Sequence, residues 1–112
     1  MLPKKRRIER ALFKEVVLRG KFLNSPHLTL RFVEDKKVNN SKISFSVSKK
    51  ISKSAVVRNK IRRRGYSSVT PLLPTMKTHF LLAFFAKKDV DKISFEQIKK
   101  EINDLLKQAG AI

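Results

Sequence analysis

The chain contains no cysteine among its 112 residues, which excludes disulfide staples, thiolate nucleophiles and cysteine-based zinc sites together. Stability must come from packing. Acids are scarce, nine Asp or Glu against 27 Lys or Arg, and none occurs from Lys36 through Lys88. Catalysis of hydrolysis by the chain itself would need clustered carboxylates for paired metals or a histidine acid–base pair, and little of either is present. Long hydrophobic runs are lacking too: Phe80 to Ala86 is far short of the roughly 20 residues that span a bilayer, and reads as a buried strand. The basic start MLPKKRRIER leads into an amphipathic pattern rather than a continuous apolar stretch, so no export signal is read and the cytoplasm is the expected location. Repeats, low-complexity tracts and long linkers are missing, which leaves one domain over residues 1–112 as the expectation.

What the chain has in excess is positive charge, +18 formally. Its acids gather at Asp89, Asp91, Glu96, Glu101 and Asp104, so the charge is segregated and one binding face is expected beside one ordinary face. From Ser46 to Arg64 the sequence reads SVSKKISKSAVVRNKIRRR, with eight Lys or Arg and no acid. Like charge at this density gains from folding only when a polyanion supplies the countercharge, and nucleic acid is the partner this implies. The block Lys4 to Arg7 adds to it, and residues 1–7 are expected to form a basic arm that stays flexible until RNA binds.

Periodicity places the elements. Ile8, Leu12, Phe13, Val16 and Val17 recur at helical spacing, and Gly20 follows where a left-handed cap would end that helix. A short strand is allowed after Gly20. His27 to Glu34 reads as a strand, and Lys42 to Ser48 alternates with Ile43, Phe45 and Val47 on one face; a hairpin between these two is expected. A helix should start near Ser52 and end around Gly65, Pro71 and Pro74 bracket a turn, and His79 to Ala86 forms a central strand. Ser94 and Gln97 fit a capping box, after which Phe95, Ile98, Ile102, Leu105 and Leu106 repeat at helical spacing. The expected class is α+β in the order α-β-β-β-α-β-α, a two-layer sandwich of a small mixed sheet and helices covering one side.

On a helical wheel with Arg58 at zero, Arg62 falls at about 40°, Asn59 at about 100° and Arg63 at about 140°. Val57, Ile61 and Ser68 fall opposite, as the stripe that packs on the sheet. Arginine offers a planar fork for bidentate phosphate contact and lysine a mobile point charge. Asn59 either reads a base edge or 2′-hydroxyl, or orders Arg58 and Arg62.

These residues bring a family into view. FSVSKKISKSAVVRNKIRRR, Phe45 to Arg64, resembles the signature of the bacterial ribonuclease P protein component, in which a strand ending in VSKK leads into a helix with an arginine–asparagine core. The resemblance extends to Arg19–Gly20, to PHLTLRF at Pro26 to Phe32, and to the apolar strand and capped C-terminal helix. It implies a non-catalytic subunit bound to a catalytic RNA that removes the 5′ leader of precursor tRNA, with Mg²⁺ held mainly by RNA and substrate. Carried over residue by residue, Lys49, Lys50, Lys53, Arg58, Asn59, Lys60, Arg62 and Arg63 face the catalytic RNA, and a cleft lined by Phe13, Val17 and Arg31 or Phe32 holds the leader. No catalytic or metal-ligating residue, no membrane and no obligate protein partner is implied. The family is also implied to use a left-handed β-α-β crossover, against the general rule. Two departures stand out: Arg64, Gly65 and Tyr66 replace two apolar residues and a basic one, loosening the turn or repacking it through Tyr66 and Val69, and Val17 replaces an aromatic.

Other readings are weaker. His27 and His79 sit in expected strands and suit structural roles, while the acids from Asp89 onward suit the solvated side of a helix, with i,i+4 pairs such as Glu101 with nearby lysines. Phe45, Phe80, Phe84, Phe85 and Phe95 are read as core, with Phe13 and Phe22 left open. The rival function is a structural ribosomal or RNA-assembly protein. A DNA-binding module would want a helix-turn partner that the basic helix lacks.

Overall fold

The apolar segment Phe80–Ala86 organises the molecule. In the computed structural model, which describes residues 6–112, the elements run α1 (Arg10–Arg19), β1 (Lys21–Asn24), β2 (Leu28–Glu34), β3 (Lys42–Ser46), α2 (Ala55–Val69), β4 (Phe80–Ala86) and α3 (Phe95–Ala109). The sheet order is β1-β2-β4-β3, with β4 antiparallel to β2 and parallel to β3. A strand apolar on both faces is stable only where both faces are covered. Leu82 and Phe84 point into a core with Leu28, Leu30, Ile43, Phe45, α2 and α3, whereas Leu81 and Ala83 meet Val16, Leu12 and Phe13 of α1. The α+β class and element order are those expected, but α1 lies on the face opposite α2 and α3.

The expected hairpin between β2 and β3 does not form. Strand β4 inserts between them, and the hairpin is β1–β2. The polar connection after β2 crosses the start of β4 to reach its far edge: Asp35 N–H bonds the His79 carbonyl (2.7 Å), and the Phe80 N–H donates to the buried Ser41 hydroxyl (3.0 Å). A fully apolar strand gains more from two paired edges than the shorter connection would provide. The β3–α2–β4 segment is thus the parallel crossover unit in which the resemblance implies an unusual hand.

Helix boundaries differ from expectation at both marker glycines. Gly20 is extended (φ −70°), not left-handed, because the chain passes straight into β1; a Cβ there would collide with the Val16 carbonyl oxygen. Gly65 does not end α2, which begins at the Ser54 cap and runs on to Val69, with Ile61, Gly65, Ser68 and Val69 buried. The capping serine of α3 is as read: Ser94 Oγ accepts from the Gln97 N–H at 3.1 Å. The basic arm expected over residues 1–7 falls outside the described residues up to residue 5; Arg7 bridges to Ile43 on the outer edge of β3, and an Arg6 guanidinium nitrogen lies 3.4 Å from the Ser41 carbonyl.

Candidate nucleic-acid interface

Helix α2 presents its cations as the wheel requires. Val57 is half-buried and Ile61 and Ser68 are buried, while Asn59, Lys60 and Arg63 are exposed and Arg58 and Arg62 half-exposed. Lys49, Lys50 and Lys53 are exposed on the turn that joins β3 to α2. Two contacts shape this face. Arg58 donates to the Ser52 carbonyl (2.9 Å), which ties the helix to the lysine turn, and Arg62 donates to Asn59 Oδ1. Asn59 thus orders Arg62 and not Arg58. Among the described residues the ion pairs of lysine and arginine lie at Glu9, Glu15, Asp89 and Glu96, and none involves a cation between Lys49 and Arg64.

A second surface lies on the α1 side of the sheet. Strand register lines up Phe22, Arg31, Ala83 and Ser44 in one row across the four strands, and Asn24, Thr29, Phe85 and Ser46 in the next. Helix α1 roofs only part of these rows: Phe13 tilts against Phe85 with ring centroids 5.8 Å apart, and Val17 is 37% exposed. Arg31 donates to the Val17 carbonyl at 3.2 Å. Phe32 does not join them, since strand alternation turns it to the opposite face, against the α2 and α3 core. Ser44 Oγ is enclosed and without a partner among the described residues. Ser46 ends β3, so the Lys49–Lys53 turn begins at the rim of this cleft.

Phe22, Phe85 and the polar residues Asn24, Thr29, Ser44 and Ser46 of these two rows were missed as cleft residues by sequence reasoning. The alternation that turns Ile43 and Phe45 inward already puts Ser44 and Ser46 on the other face, but the row exists only through pairing between distant strands.

The hairpin that carries Phe22 and Arg31 is pinned from below. Glu101, expected on the solvated side of α3, is only 3% exposed and accepts from Ser25 Oγ (2.5 Å), the His27 N–H (2.8 Å) and Gln97 Nε2 (3.1 Å), with His27 Nδ1 2.8 Å from its other oxygen. The correction follows from position: Glu101 falls on the stripe of Ile98, Ile102 and Leu105, and burial obliges it to find donors. Burial pushes its pKa up, but the hydrogen bonds from Ser25, His27 and Gln97 together outweigh it and hold the carboxyl below its ordinary value.

A sheet half-roofed on one face beside a helix of cations unpaired to acids defines a small basic α+β protein suited to a polyanion. The family profile described as Ribonuclease P matches residues 2–110. The chain belongs to the ribonuclease P protein family. It is 29% identical over 100 residues to the ribonuclease P protein component of Synechocystis, covering 89% of this chain and 81% of that one. It is 32% identical over 111 residues to that of Syntrophomonas wolfei, covering 98% and 92%. The fold is similar to that of a Staphylococcus aureus RNase P protein variant, with a TM-score of 0.89, 23% identity and 97% and 92% of the two chains covered. The Thermotoga maritima RNase P protein superposes with a TM-score of 0.81 at 20% identity, over 91% and 96%. Membership makes the chain the protein component of a ribonucleoprotein endoribonuclease that works with an RNA subunit.

Proposed function

We propose that this chain is a single RNA-binding domain that holds the catalytic RNA through Lys49, Lys50, Lys53, Arg58, Asn59, Lys60, Arg62 and Arg63, and the 5′ leader of precursor tRNA through Phe13, Val17 and Arg31. The observation that carries the reading is the run of cations from Lys49 to Arg64, none paired to an acid among the described residues, which starts at the rim of an aromatic cleft. Fixed guanidinium groups suit the ordered phosphates of a folded RNA, and a half-roofed aromatic face suits a single strand with unstacked bases. Among the described residues no three His, Cys, Asp or Glu gather into a group. In this reading magnesium is held by the RNA and the substrate phosphates, with which it pairs readily. No helix of the described residues is long and apolar enough to cross a membrane. Action on precursor tRNA beside its RNA subunit would place the chain in the cytoplasm.

The deciding experiment is cleavage of a 5′-extended precursor tRNA at low Mg²⁺ by this protein, by a bacterial ribonuclease P RNA, and by the two together. Activity at low Mg²⁺ only in the mixture is expected. Protein that binds the RNA without lowering its magnesium requirement would return the chain to the structural RNA binders.

Charge removal tests the assignment of the helix face. Arg62→Ala is expected to weaken binding of the RNA and to flatten the log–log salt dependence by roughly 0.7 to 0.9 for each phosphate no longer neutralised. Arg58→Ala should do the same and also loosen the tie to Ser52. Filter binding between roughly 50 and 400 mM salt reads both, and an unchanged slope in the two variants would remove this face from the interface.

A further inference from the structure

One large side chain on the open sheet face is explained neither by packing nor by the residues proposed for the leader. Phe22 lies in β1, the edge strand, and is 60% exposed. Its neighbour across the pair is Arg31, whose guanidinium carbon stands 5.7 Å from the ring centroid. The same guanidinium donates to the Val17 carbonyl in the last turns of α1, where the negative end of the helix dipole favours a cation. The cation is thus held by the helix on one side and by the ring on the other, with donors left over.

We infer that Phe22 and Arg31 form a second base platform, the ring taking the face of an unpaired nucleobase and the guanidinium taking a neighbouring phosphate. This rests on the reading of the cleft as the leader site. The first platform is the Phe13–Phe85 pair. Phe22 pairs with Arg31 and Phe85 with Thr29, so the two platforms are separated by two strand spacings and two residues of register. With strands ~4.8 Å apart and a rise of ~3.4 Å per residue, their separation is about 12 Å. Neighbouring stacked bases lie only about 3.4 Å apart along a strand. The two platforms therefore hold non-adjacent bases of an unstacked single strand. An aromatic face accepts any base, so the platform sets which leader position is gripped rather than which base stands there.

The test uses the holoenzyme assembled from full-length protein and a ribonuclease P RNA, with precursor tRNAs whose leader carries one abasic nucleotide moved position by position. With native protein, abasic sites at two non-adjacent positions are expected to weaken binding, each by roughly fivefold or more. Phe22→Ala should lose the same factor on the intact leader and become indifferent to one of those positions, while Phe13→Ala becomes indifferent to the other. Phe22→Leu, which keeps apolar bulk without the ring, should behave as Phe22→Ala and guards against a folding artefact. If both Phe22 variants keep sensitivity at both positions while Phe13→Ala loses one, the second platform is wrong and the leader reading stands. Native holoenzyme indifferent to every abasic position would overturn the leader reading and the platform with it.

Discussion

Replacing Gly65 by leucine is expected to destabilise the fold by about 2 kcal/mol net, from ~3 kcal/mol of overpacking offset by ~0.8 kcal/mol of gained helix propensity. For a domain of this size that is a fall in melting temperature of roughly 8 °C. A Cβ at Gly65 would lie 2.5 Å from Phe45 Cδ2 and 2.6 Å from Cε2, well inside van der Waals contact. The ring has nowhere to retreat: Phe45 is 3% exposed, stacks on Phe84 at 5.8 Å and meets Tyr66 edge-on at 6.3 Å. Its backbone N–H, on the outer edge of β3, donates to the Tyr66 hydroxyl at 3.1 Å. The Arg64–Gly65–Tyr66 departure is therefore a repacking. The side chain missing at Gly65 is replaced by the Phe45 ring rising from the sheet, and Tyr66 closes over it. Phe45→Ala alone should cost ~3–5 kcal/mol. The double variant Gly65→Leu, Phe45→Ala is expected to be more stable than Phe45→Ala by itself, because leucine enters the vacated space and the two changes couple. Additive effects in urea unfolding would show that α2 is not seated on this ring. Since α2 carries Arg58, Arg62 and Arg63, this packing also sets the height at which these cations stand above the sheet.

Periodicity made legible whatever one element decides for itself. The faces of α2, the buried strand at Phe80 and the stripe of α3 all follow from spacing, and the structure places them so. What escaped depends on partners distant in sequence. A period of two says that Thr29, Arg31 and Val33 share a face; it does not say that β4 rather than β3 lies beside them. The hairpin was misplaced because β1 offers only Lys21 to Asn24, too short to show alternation, while the β3 pattern is strong. Gly65 read as a helix end because intrinsic propensity carries no knowledge of the Phe45 ring above it. Phe32 is a different kind of miss: it is adjacent to Arg31, and alternation alone places the two on opposite faces of the sheet. In the cleft, the rows that bring Arg31 together with Phe22 and Phe85 with Thr29 are a product of the register.

Glu101→Leu is expected to cost about 3 kcal/mol at neutral pH, the effect of removing one partner from a buried, charge-assisted cluster. Leucine fits the apolar stripe of α3, but it leaves the Ser25 hydroxyl, the His27 N–H and the His27 ring without their acceptor. Glu101→Gln keeps an acceptor oxygen and should cost less, about 1–2 kcal/mol. The pH dependence separates charge from packing. Because the folded carboxyl titrates below its ordinary value of 4.5, the unfolded chain takes up that proton at higher pH than the folded one does. The stability contributed by the carboxylate is therefore full above that ordinary value and is lost as pH falls through the lowered one. The groups facing the cluster are His27 from the β1–β2 turn and Lys87 from the end of β4, whose Nζ donates to the Ser25 carbonyl at 2.9 Å. Both remain in the glutamine variant, so below about pH 5 the change with pH in the gap between native and Glu101→Gln follows the Glu101 carboxyl. Urea unfolding at steps from about pH 5 to about pH 3 should show the gap closing as the pH falls. A gap that persists undiminished at the acid end would mean that Glu101 acts by shape and not by charge. The same clamp fixes the turn that sets β1 against β2, and with it the position of Phe22 over Arg31. Amide exchange in β1 should accelerate in Glu101→Leu more than in β4, whose hydrogen bonds lie between two neighbouring strands.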